Sequence, residues 1–133
     1  MSAISKLFFI LVLICPFSAW AEEEAAPVNE VIYVELKPSF VANYQSRKVR
    51  YLKADVTLKV GDGATAEAIS RHKPSIRHNL VMLFSRQMEE ELNTMEGKQK
   101  LKEDALQEVI AALEIEGEPT GVQDILFTSF IVD

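Results

Sequence analysis

An α+β fold is expected, a mainly antiparallel sheet with two long helices packed on one face, and three observations lead to it. Strand-forming segments lie toward both ends of the chain and helical ones lie between them. Residues 50–60 alternate strictly, with Leu52, Ala54, Val56, Leu58 and Val60 interleaved with Tyr51, Lys53, Asp55, Thr57 and Lys59. That period of two means one dry side and one wet side. Residues 73–92 carry Ile76, Leu80, Leu83, Phe84, Met88 and Leu92 along one helical stripe, opposite Arg77, His78, Arg86, Glu90 and Glu91.

The chain opens with residues 1–21, which have the form of a secretory signal or a short membrane anchor. Lys6 precedes an apolar run, Pro16 breaks it, and Ala19-Trp20-Ala21 has the small-x-small form of a cleavage site. The uncharged stretch 7–21 is fifteen residues long, shorter than the roughly 20 a spanning helix needs. Cys15 is the sole cysteine, and Ile14 before it is too large for a lipoprotein signal. Cleavage after Ala21 would leave no thiol for a disulfide or for catalysis. Residues 22–30 begin with three glutamates and hold Pro27, and they read as an acidic tether with nothing to bury.

Residues 31–133 are expected to form the folded domain. Residues 31–36 are β-branched and aromatic, Lys37-Pro38 marks an edge or a bend, and 40–44 continue extended. The alternating strand 50–60 follows and ends at Gly61-Asp62-Gly63. Residues 65–72 form a short helix with Asp62 or Thr65 as its cap. The central helix starts at Pro74, which suits a first turn, and is expected to run to about Asn93. Thr94 caps a second long helix over 95–114, with Leu101, Ala105, Leu106, Val109, Ile110, Ala112 and Leu113 inward. Gly117, Pro119 and Gly121 turn the chain into 122–132, which is almost free of charge and is expected to be an interior strand.

A net charge of −6 argues against nucleic acid as a partner, because phosphate binding needs a basic face. His72 and His78 are six apart with Pro74 between them, whereas a helical zinc pair wants a spacing of four. No serine stands in a nucleophile elbow. Catalytic, metal and cofactor sites are therefore not expected. Contact surface is the better prospect. Arg47, Lys48, Arg50 and Lys53 make one basic cluster, and Arg71, His72, Lys73, Arg77 and His78 make a second. Acidic residues gather at 22–24, 89–91 and 114–118. Opposite patches on one small domain permit head-to-tail contacts, which close into rings if the rotation allows.

Six segments carry a family resemblance: 33–38 (YVELKP), 40–43 (FVAN), 50–58 (RYLKADVTL), 74–80 (PSIRHNL), 94–101 (TMEGKQKL) and 122–132 (VQDILFTSFIV). In this order and spacing the chain resembles the periplasmic domain of the flagellar basal-body-associated FliL family. The resemblance implies a stomatin-type (SPFH-like) fold and a non-enzymatic role at the flagellar motor. It implies a homo-oligomeric ring on the periplasmic side of the inner membrane, around the stator units, that supports rotation, swimming or swarming. Family members typically carry a cytoplasmic tail and a full transmembrane helix, whereas here six residues precede the short apolar run. A secreted periplasmic scaffold without direct motor contact is the alternative. Arg47, Lys48, Arg50, Lys53, Arg71, Lys73 and Arg77 are the candidate protein contacts.

Overall fold

A computed structural model describes residues 31–133; the expected signal or anchor (1–21) and the tether (22–30) lie outside the described residues. Three strands form one antiparallel sheet in the order β1 (Ile32–Asn43), β2 (Tyr51–Val60), β3 (Val122–Val132). Between β2 and β3 the chain forms α1 (Gly63–Arg71), α2 (Lys73–Ser85), α3 (Glu89–Leu92) and α4 (Met95–Ile115). The α+β class and the antiparallel sheet agree with the sequence reading.

The alternation in β2 does what a period of two predicts. Leu52, Ala54, Val56, Leu58 and Val60 are all buried under the helices, while Tyr51 and Lys53 face out. β2 is the central strand and has a partner on each side. β1 runs straight through Pro38, and the ladder shifts register between Leu36 and Phe40 to accommodate it. Proline cannot donate to a ladder, so an edge strand with an irregularity is where it fits. The Lys37–Pro38 peptide bond is cis.

Helices α2 and α4 pack on each other, α2 also against β1 and α4 against β3. The core between them and the sheet holds Leu36, Phe40, Leu52, Ile76, Phe84 and Leu113, each at most 2% exposed. Phe40 and Phe84 meet edge-on, 5.7 Å between ring centres at 83°. Phe127 continues the aromatic row at 6.0 Å and Phe130 at a further 5.6 Å, which carries it from the core to the surface.

Two expectations are corrected. The central helix does not run from 73 to 92; α2 ends at Ser85 and α3 starts at Glu89. Gln45, just after β1, accounts for the break. Its N–H donates to the Gln87 carbonyl (2.9 Å), and its carbonyl accepts from the Glu89 N–H (3.1 Å). Those backbone groups would otherwise join the helical ladder. Met88 therefore leaves the stripe and is exposed, while Leu92 regains the core through α3. The last segment is also not interior. Among the described residues β3 is an edge strand, and its apolar run is used on the face covered by α4.

The caps are local. Asp62 Oδ1 accepts from the Thr65 N–H (2.6 Å) at the start of α1, and Thr94 Oγ1 accepts from the Gly97 N–H (3.0 Å) at the start of α4. Gly97 also allows a close approach, because a Cβ there would strike the Glu91 carbonyl oxygen. Thr65 Oγ1 in turn accepts from the Gly121 N–H (3.1 Å), tying α1 to the start of β3.

Candidate functional site

The two basic clusters lie at opposite ends of α2. The loop with Arg47 and Lys48 adjoins the C-terminal end of α2 through the Gln45–Met88 bridge, whereas Lys73 is its first residue and Arg71 lies two positions before it. Thirteen helical residues separate the ends by about 20 Å. The structure therefore does not merge the clusters into one patch.

Each cluster stands beside acidic residues of the same domain. Arg50 bonds Glu89 (3.1 Å). At the other end Glu118 receives Arg71 (2.9 Å) through one oxygen and lies 2.9 Å from His72 Nε2 through the other. The Arg71 guanidinium, and after it His72, hold the Glu118 carboxyl below the usual carboxylate range. The same contact raises Arg71 above its ordinary value. Glu118 thus clamps the end of α1 to the turn between α4 and β3. Head-to-tail pairing of separated patches was an expectation; here Arg50 and Arg71 find their carboxylates within the domain.

Arg77 is framework. Its guanidinium lies over the Phe40 ring, 4.1 Å from the centre, and donates to the carbonyls of Pro38 (2.7 Å) and Leu36 (3.3 Å). Burial lowers its pKa from the ordinary arginine value. This arrangement covers the point where the β1–β2 ladder is irregular. His78 lines a shallow hollow with Pro74, Ser75 and Asn79. Among the described residues Arg47, Lys48, Lys53 and Lys73 make no ion pair.

Lys53 lies within β2, whereas Arg47 and Lys48 belong to the loop before it. It stands on the sheet face away from the helices, in one row with Val41 on β1 and Ile131 on β3. Val41, Ile131, Tyr33 and Tyr51 are 58%, 53%, 58% and 46% exposed on this face, which no other element among the described residues covers. Sequence reading placed Tyr51 on the wet side of its strand, assigned no face to Tyr33, Val41 or Ile131, and did not register the four as an apolar patch. The signal was available, because Val41, Tyr51 and Ile131 occupy positions where alternation predicts polar residues. A depression of about 640 Å³ opens on the same face where both ladders are irregular, and Ser39 donates to Asp55 within it.

Among the described residues no group of three or more His, Cys, Asp or Glu could hold a metal ion, and no helix is long and apolar enough to cross a membrane. The domain offers surfaces: a basic corner at each end of α2, a partly apolar sheet face, and a groove beside β3.

Known proteins match this domain. The family described as "Flagellar basal body-associated protein FliL" matches residues 33–132. A "Flagellar protein FliL" of Aquifex aeolicus is 29% identical over 110 residues, covering 82% of this chain and 66% of that protein. One of Escherichia coli strain K12 is 36% identical over 84 residues, covering 62% of this chain and 54% of that protein. The chain thus spans between half and two thirds of the length of these relatives.

Proposed function

Because the chain belongs to the family of flagellar basal body-associated protein FliL, we propose that it works at the flagellar basal body as a non-enzymatic accessory of the motor. It oligomerises near the inner membrane, on the periplasmic side, and supports the stator units in rotation, swimming or swarming. The observation that carries this reading is the family match, which takes in nearly all of the described domain. A stomatin-type ring domain is part of the proposal, supported by the antiparallel sheet with helices on one face. Residues 1–21 export or anchor the chain, and 22–30 tether the domain 31–133 to that segment.

For the contacts, the geometry favours Arg47, Lys48, Lys53 and Lys73, whose charges are not spent on ion pairs among the described residues. Arg50, Arg71 and Arg77 contribute by holding the framework from which those four project.

Deleting the gene and measuring swimming speed under viscous load tests the role. Slower swimming with fewer engaged stators is expected; unchanged motility and stator recruitment would overturn it. A secreted scaffold without motor contact is the second reading, favoured by the shortness of the apolar run 7–21. N-terminal sequencing of the native protein separates the routes: a start at Glu22 means export, and an intact Met1 or Ser2 means an anchor.

A further inference from the structure

Nothing among the described residues pairs with the outer side of β3. Asp133 donates its N–H to the Tyr51 carbonyl (3.1 Å). Residues in an antiparallel ladder alternate between exchanging bonds with the partner strand and turning their backbone groups away. Counting back from Asp133, the amides and carbonyls of Phe130 and Val132 point away from β2 and are open to another strand.

Beside this edge lies an open groove of about 440 Å³, and every residue lining it belongs to α4 or β3. Its floor is apolar. Leu101 is buried, and Phe127 and Phe130 are half-buried with their tilted rings 5.6 Å apart. Met95, exposed at 86%, stands at the rim. The rest of the helical wall is Gln99 and two lysines, in a chain that is acidic overall. Lys98 is exposed and makes no ion pair among the described residues, and Lys102 is 3.4 Å from Asp124.

An open strand edge beside an apolar groove walled by a helix is the geometry by which extended peptides add a strand. The main chain pairs with the edge, and every second side chain enters the groove. We propose that the β3 edge and the α4 groove together form a strand-addition site for an extended segment of a partner protein, with apolar side chains on its groove-facing side and a carboxylate among them. The apolar side chains cover Phe127, Phe130 and Met95. The carboxylate is selected by Lys98, because an acid at that position gains an unpaired cation and a lysine meets a like charge. The site does not depend on the flagellar role; it follows from the edge, the groove and the sign of its rim.

The test uses the full chain and synthetic eight-residue peptides, with Val, Phe and Glu at alternate positions and Thr between them. Binding is read by fluorescence anisotropy of the labelled peptide. The Glu peptide is expected to bind, and replacing its Glu by Lys should weaken it about tenfold. Methylating the backbone nitrogens of one alternate set of residues should weaken it to a similar degree, whereas methylating the other set should change little. Lys98→Glu, at an exposed position, should reverse the preference between the Glu and Lys peptides while leaving the circular dichroism spectrum unchanged. Absence of binding at about 1 mM peptide would overturn the proposal. So would binding indifferent to both backbone methylation and Lys98→Glu. Concentration-dependent self-association abolished by Lys98→Glu would assign the edge to a second copy and overturn the partner-segment reading.

Discussion

The two edges of this sheet are managed in opposite ways. On β1, Pro38 removes a donor, the ladder is irregular between Leu36 and Phe40, and Arg77 reaches from α2 to hold the carbonyls of Leu36 and Pro38. On β3, Phe130 and Val132 direct backbone groups outward, and an apolar groove with a lysine rim runs alongside. Exposed edges invite unwanted pairing, and proline, irregular ladders and covering side chains are the usual means of closing them. One edge here is closed by three of those means; near Phe130 the other has one of them, the ladder irregularity between Phe127 and Ser129, and among the described residues neither a proline nor a covering side chain. The difference separates a framework edge from one available for contact.

Substitutions can break that contrast. The largest effect is expected at Phe40, which is fully buried beneath Arg77 and meets Phe84 edge-on. Phe40→Ala should cost about 3–5 kcal/mol in chemical denaturation. Phe130→Ala, at the open and half-buried edge, should cost less than half as much. Equal losses would show that both edges are framework.

Arg77→Ala comes next. It removes two hydrogen bonds from a charged donor and a cation–π contact, and it should cost about 2 kcal/mol. It should also speed amide exchange around Phe40 while leaving exchange near Phe130 unchanged. Equal acceleration at both edges would remove Arg77 from its closing role.

A third measurement tests how β3 is anchored at its start. The folded Glu118 carboxyl lies below its ordinary pKa because of Arg71 and then His72. Its contribution is therefore fully present above the ordinary glutamate value of about 4.3 and is lost as pH falls through the folded value. The denaturation midpoint of Glu118→Gln should lie below that of the parent at pH 7 and converge with it in acid. A gap that persists below the folded value would mean that the clamp is not electrostatic. The smallest effects belong to Lys48→Ala and Lys73→Ala, which make no ion pair among the described residues; their stability should stay within about 0.5 kcal/mol. A motility loss from either at unchanged stability would mark a contact.

Much of the framework was legible in the residues alone. The alternation of β2 named its buried face, Thr94 announced the cap of α4, and the cap of α1 was narrowed to Asp62 or Thr65, of which the structure uses Asp62. The six segments that resemble the FliL family lie within or beside the matched span 33–132. The contact surfaces were less legible. Arg50, Arg71 and Arg77 looked alike in a list of basic residues, yet each is committed to a different partner far along the chain: Glu89, Glu118 and the β1 carbonyls.

Periodicity and capping are local properties. They depend on residues within a few positions of one another, so the chain alone carried the strand and helix faces, the turns and the caps. Three features depended on chain segments meeting at a distance. Gln45 took backbone bonds at Gln87 and Glu89 and split a stripe whose apolar spacing continues unbroken. β2 rather than β3 became the central strand, since an apolar run reports how much of a strand is covered but not how many neighbours bond to it. The open β3 edge arose the same way. An unpaired backbone group has no signature in the side chain that carries it, and only the packing of α4 beside β3 made the groove next to it.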